Sequence, residues 1–140
     1  MEETATVDLV VYVEDNLDTQ LLVKWVLEAT KRYKVLSARD GVSGLELVQQ
    51  HHPALVLLDL DVPLLNGLEV ARRIHADPVL RDIPMIAVSA SVMQQEHQRS
   101  LDEGCVAFIE KPFDIHQFRQ IVDKHIKLRR SARAHPPRGG

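Results

Sequence analysis

Ala54-Leu-Val-Leu-Leu58, running directly into Asp59-Leu-Asp61, is the stretch on which the fold turns. Five successive apolar residues with no polar alternation describe a strand covered on both faces, as central strands of parallel sheets are. Three more apolar runs lie on either side of it. Leu9-Val-Val-Tyr-Val13 ends on Glu14-Asp15, Met85-Ile-Ala-Val88 on Ser89, and Val106-Ala-Phe-Ile109 on Glu110-Lys111-Pro112. Longer segments of helical period separate these runs, which points to βαβ units and a parallel sheet. Ligands of such sheets bind in the crevice at the carboxyl ends of the strands. Three carboxylates, a hydroxyl and an ammonium are therefore expected to converge there.

The intervening segments complete five β-α units. A first helix is expected over about 18–30, with Leu17, Leu21, Trp25 and Ala29 recurring every four residues. By that period Trp25 faces the core, while Val23 and Leu27 lie off the stripe, as scattered surface residues or as marks of a dimer face. Tyr33–Ala38 reads as the second strand. Asp40 reads as the N-cap of a helix reaching Gln50. Asn66-Gly67 leads into a third helix whose inner face carries Leu68, Ala71 and Ile74, with Asp77-Pro78 beyond its end. The fourth helix, Gln94–Glu103, has little apolar material beyond Val92, Met93 and Leu101; weak anchoring suits a movable element, and a plain surface helix reads the same way. The last helix starts near Asp114 and is expected to bury Ile115, Phe118, Val122 and Ile126.

At 140 residues, with 45% hydrophobic and 26% charged, the chain fits one globular domain. A net charge of -3 argues against nucleic-acid binding by bulk electrostatics. No apolar run approaches membrane-spanning length and Met1-Glu-Glu-Thr lacks a basic signal start, so a cytoplasmic location is expected. Cys105 stands alone, which excludes an intrachain disulfide and suggests a small buried hydrophobe. The seven histidines, His51-His52 included, show no metal-ligand spacing. From Arg119 onward seven Lys or Arg face one acid, Asp123. The expected division is a folded unit over 1–128 and a basic, disordered tail over 129–140. Lys127, Arg129, Arg130, Arg133 and Arg138 suit a helix C-terminus, an acidic partner or a linker.

The strand-end residues fit metal-assisted phosphoryl chemistry. Mg²⁺ takes oxygen ligands, keeps several waters and needs only one or two protein carboxylates beside phosphate oxygens. Adjacent acids at Glu14-Asp15 facing Asp59 would repel one another unless a cation lay between them. A metal-bound carboxylate can attack phosphorus through its other oxygen, giving an aspartyl phosphate. Lys111 supplies a point positive charge, and Ser89 a hydrogen bond to a phosphoryl oxygen. Asp61 has two readings, a further negative charge in the site or, as favoured here, an outward side chain whose backbone carbonyl alone matters. Taken singly, each group has a plainer role as a solvated loop residue, cap or turn; together, each directly follows a strand.

At these residues the sequence resembles the receiver domain of two-component response regulators. The resemblance spans about Asp8 to Ile126 and rests on Val13-Glu14-Asp15-Asn16, Leu57-Leu58-Asp59-Leu-Asp-Val-Pro63-Leu-Leu-Asn66-Gly67, Val88-Ser89-Ala90 and Lys111-Pro112-Phe113. It implies a flavodoxin-like, doubly wound five-stranded parallel sheet of order 2-1-3-4-5 with helices on both faces. It makes Asp59 the phosphoacceptor, charged from a phosphohistidine on a sensor histidine kinase or phosphotransfer protein. Asp15, Asp59 and the Asp61 carbonyl would ligate Mg²⁺, with Glu14 acting through water. Ser89 would close on the phosphoryl group and Lys111 would hold it. Phe108 takes the place of the switching aromatic, often Tyr, and here has no hydroxyl. Asp61 and Ser91 occupy positions that influence phosphate lifetime, and a cis peptide is implied before Pro112.

Two other readings compete. Asp59-Leu-Asp61 resembles the nucleophile motif of haloacid-dehalogenase-type phosphatases, but Pro63 breaks that motif. It also stands off the first strand, in a chain short for such an enzyme. The other is a receiver used as a binding module that is never phosphorylated, against which the intact acids, Ser89 and Lys111 argue. The expectation is a stand-alone, non-enzymatic phosphoacceptor, monomer or weak dimer. Its fourth helix, fifth strand and fifth helix would switch between two arrangements and signal to a downstream protein.

Overall fold

The apolar run at the centre of the sequence is also the centre of the sheet. In a computed structural model, which describes residues 7–90 and 93–134, all four residues of β3 (Leu55–Leu58) are buried. Around it stand β1 (Asp8–Val13), β2 (Tyr33–Ala38), β4 (Met85–Ser89) and β5 (Ala107–Glu110), all parallel, in the order β2-β1-β3-β4-β5. Helices α1 (Leu17–Glu28), α2 (Gly41–His51), α3 (Gly67–Ala76), α4 (Gln94–Asp102) and α5 (Ile115–Ala134) alternate with the strands. This is the expected doubly wound α/β fold.

Each buried strand feeds two cores, because successive side chains point to opposite faces. Val11, Val13, Val56 and Leu58 face one layer with Val48 of α2 and Val70, Ala71 and Ile74 of α3. Val10, Tyr12, Leu55 and Leu57 face the other, with Val23 and Leu27 of α1 and Phe118, Val122 and Ile126 of α5. Cys105 is buried as expected, in the first layer.

Helix α1 corrects the sequence reading. Trp25 is 70% exposed, and Leu17 and Leu21 are exposed too, whereas Val23 and Leu27 are fully buried. Those two are core residues, not a dimer face. Two apolar stripes run along this helix on opposite sides, and a polar residue chooses between them. Buried Gln20 donates from Nε2 to the carbonyls of Glu14 (2.5 Å) and Ala38 (3.2 Å), which turns its own face to the sheet. Positions 23 and 27, three and seven residues on, must follow it inward.

Two differences concern α5. Ile115 is 37% exposed, because it sits at the first position of the helix, ahead of the turn that reaches the core. Phe113 fills that level instead, stacking on Phe118 with ring centroids 4.7 Å apart. The helix also runs to Ala134, past the boundary expected at 128. Residues 129–134 are Arg, Arg, Ser, Ala, Arg and Ala, mostly good helix formers, and Arg130 pairs with Asp8. Residues 135–140 lie outside the described part, as do Ser91 and Val92. Among the described residues no helix is long and apolar enough to cross a membrane.

Candidate functional site

The carboxyl ends of four strands deliver the expected groups to one place, and the backbone does the aiming. The N–H of Glu14 donates to the Ala38 carbonyl, that of Asp59 to Val13, and that of Lys111 to Ser89, each at 2.9 Å. Each site residue is thus the first beyond its strand, held by one further rung of the ladder. The floor is fixed by Gly67, whose N–H donates to the Leu60 carbonyl at 3.1 Å. A Cβ at Gly67 would lie 2.4 Å from the Asp59 carbonyl oxygen, so only glycine lets α3 begin so close beneath the acid. Asn66 caps that helix, accepting from the Glu69 N–H at 3.0 Å.

Glu14, Asp15 and Asp59 each bring a carboxylate oxygen within 4.8 Å of the other two. Glu14 and Asp59 are buried, at 1% and 5% exposure, while Asp15 is open to solvent. Lys111 bridges the two buried acids, donating to Glu14 Oε1 at 2.5 Å and Asp59 Oδ2 at 2.6 Å. The other Asp59 oxygen, Oδ1, accepts from the Asp61 N–H at 2.8 Å. The Asp61 side chain is exposed, as expected. Ser89 is fully buried at the end of β4, and the Lys111-Pro112 peptide is cis.

Charge in this crevice is contested. Burial pushes the Glu14 carboxyl above its usual range, and the like charge of Asp59 adds to the rise. Hydrogen bonds from Lys111, the Asn16 N–H and Tyr12 oppose it without cancelling it. Burial works against the Lys111 ammonium, but its bonds to Asp59 and Glu14 outweigh that and raise its pKa. Two buried carboxylates sharing one ammonium, with a third carboxylate alongside, form a hard-oxygen donor set short of positive charge. That chemistry fits Mg²⁺, which is satisfied by few protein carboxylates.

Two residues of the site escaped the sequence reading. Tyr12, fully buried, donates from its hydroxyl to Glu14 Oε1 at 2.9 Å. Its position two residues before Glu14 on a strand puts both on one face, a period-2 signal that the apolar run concealed. Burial, followed by the charge of Glu14, raises the pKa of Tyr12 far above normal and keeps it a donor. Gln20 is the other, supporting Glu14 through its carbonyl.

Within β5, Phe108 is half-buried against the first core layer. His97 of α4 lies over its ring, centroids 4.3 Å apart and planes at 32°. Met93 and Leu101 are exposed, and Ser100 is the one buried residue of α4.

Comparison with known proteins agrees with this geometry. The response regulator receiver domain family matches residues 10–123. The polar-differentiation response regulator DivK of Brucella ovis is 36% identical over 117 residues, spanning 84% of this chain and 94% of the relative. The receiver domain of the sensor histidine kinase PA1611 from Pseudomonas aeruginosa superposes with a TM-score of 0.80 at 25% identity. The match covers 87% of this chain and 99% of that one, whose structure holds a magnesium ion in its active-site cleft. The phosphorylated cyanobacterial phytochrome response regulator RcpA gives 0.74 at 30% identity, over 85% and 91% of the two chains.

Proposed function

This chain belongs to the response regulator receiver domain family, and we propose that it carries a two-component signal as a phosphoryl group on Asp59. The family is one of signalling proteins, not of catalytic enzymes. A single observation carries the reading. Asp59 is buried at a strand end with one oxygen on the Lys111 ammonium, the other on the Asp61 N–H, and two more carboxylates within 4.8 Å. A packing role would not bury an acid in such company.

The donor is a phosphohistidine of a sensor histidine kinase or phosphotransfer protein. An Asp59 oxygen attacks phosphorus, the phosphorus–nitrogen bond breaks, and the histidine imidazole leaves with the electron pair. Asp15, Asp59 and the Asp61 carbonyl would hold Mg²⁺, Glu14 through water; the bound ion neutralises charge on the phosphoryl oxygens. Lys111, already on Asp59, follows the charge onto a phosphoryl oxygen, and the Ser89 hydroxyl donates to another. Lacking a hydroxyl, Phe108 couples to this event by packing, through the ring of His97, so α4, β5 and α5 form the face that a downstream protein reads. Such a two-component receiver works on the side of the membrane where its kinase presents the phosphohistidine, which places it in the cytoplasm.

Intact mass after incubation with a small acyl-phosphate donor tests the proposal. One phosphoryl adduct is expected, dependent on Mg²⁺ and absent in Asp59→Asn. No adduct on a folded, Mg²⁺-binding protein would favour a binding module that works without phosphorylation.

A further inference from the structure

Glu14 accepts from three donors, an ammonium, a phenol and a backbone N–H. Oε1 accepts from Lys111 at 2.5 Å and Tyr12 at 2.9 Å, and Oε2 accepts from the Asn16 N–H at 3.1 Å. Lys111 reaches the site on a flexible four-carbon stem and already divides itself between Glu14 and Asp59. Tyr12 cannot move in that way. Its ring is fully buried in the layer beneath α1 and α5, among Val10, Val23, Leu57 and Val88, with two torsions fixed by packing. The phenol is a rigid donor, aimed at one oxygen of a carboxylate that the pocket needs in one orientation.

We propose that Tyr12 is a positioning residue for the metal site, clamping Glu14 so that the carboxylate stays oriented when Lys111 turns toward the phosphoryl group. The inference rests on the reading of Glu14, Asp15 and Asp59 as a Mg²⁺ pocket. Partners that orient groups around a metal are commonly worth 10-fold or more in affinity when removed, roughly. The chain supplies its own control, since its other tyrosine, Tyr33, is also buried and also donates to a carboxylate, Asp123 of α5.

The test is Mg²⁺ affinity, read by competition against Mn²⁺, for the wild-type chain, Tyr12→Phe and Tyr33→Phe. Tyr12→Phe should bind Mg²⁺ about 10-fold more weakly, with Tyr33→Phe unchanged. Phosphorylation of Tyr12→Phe by an acyl phosphate should then need more Mg²⁺ while keeping its maximal rate. Tyr33→Phe also leaves Tyr12 as the single tyrosine, so its tyrosine absorbance should change saturably with added Mg²⁺, a readout independent of whether Tyr12→Phe folds. Equal Mg²⁺ affinity in all three proteins, or a tyrosine spectrum indifferent to saturating Mg²⁺, would overturn the role of Tyr12 and leave the pocket standing. A wild-type chain that binds no Mg²⁺ would overturn the pocket, and this inference with it.

Discussion

Helices α3 and α4 follow neighbouring strands of one sheet, yet they are held in opposite ways. The first sets Val70, Ala71 and Ile74 into the core with no surface left exposed and starts on the side-chain cap of Asn66. The second buries Ser100 alone, and that hydroxyl donates at 2.7 Å to the His97 carbonyl, a bond within its own helix. Met93 at its N-cap offers no side-chain cap. Helix α3 carries the floor of the acidic pocket, where movement would misplace Asp59. Helix α4 lies against β5, the strand that leads into Lys111, and has little to lose by moving. Segments with few buried apolar contacts open most cheaply.

Truncation on the two helices should separate them most. Ile74→Ala is expected to cost about 2–5 kcal/mol in urea-induced unfolding, and Leu101→Ala, on an exposed side chain, no more than about 0.5 kcal/mol. Similar losses would break the comparison. Asn66→Ala, which removes the cap of α3, should cost about 1 kcal/mol in the same measurement. His97→Ala should cost about 0.5–1.5 kcal/mol and release Phe108, visible as averaged phenylalanine ring signals in NMR spectra.

Cys105 sharpens the comparison by a different route, since it lies just beyond α4, with its N–H on the Ser100 carbonyl at 2.9 Å. Burial, then the charge of Glu103, pushes its thiol up to about 12. Folding therefore favours the protonated form, and this contribution to stability is lost as pH rises from about 9 towards 12. At pH 9 an alkylating reagent should modify the folded chain far more slowly than the denatured one. The residual rate should report opening around α4. A rate equal to that of global unfolding would mean that α4 does not open by itself.

Much of this was legible in the sequence, because a parallel sheet converts strand ends into a site. Glu14, Asp15, Asp59, Ser89 and Lys111 each follow or close an apolar run, so order along the chain was enough to gather them. The poverty of α4 was equally plain. What periodicity could not supply was the rotation of α1, where two apolar stripes compete and the amide of Gln20 decides. Nor could it separate Tyr12 from its apolar neighbours, since a buried tyrosine declares a polar partner only when the fold supplies one. The length of α5 was hidden by charge, as a run rich in Lys and Arg reads as a solvated tail and as a helix end alike.

Hydrogen exchange, followed amide by amide on the chain before and after phosphorylation, tests the central claim most directly. With Asp59 phosphorylated, protection should change across α4 and β5 and stay constant in α3, and Asp59→Asn treated identically should show neither change. Equal changes in α3 and α4, or none on a fully phosphorylated chain, would contradict the account.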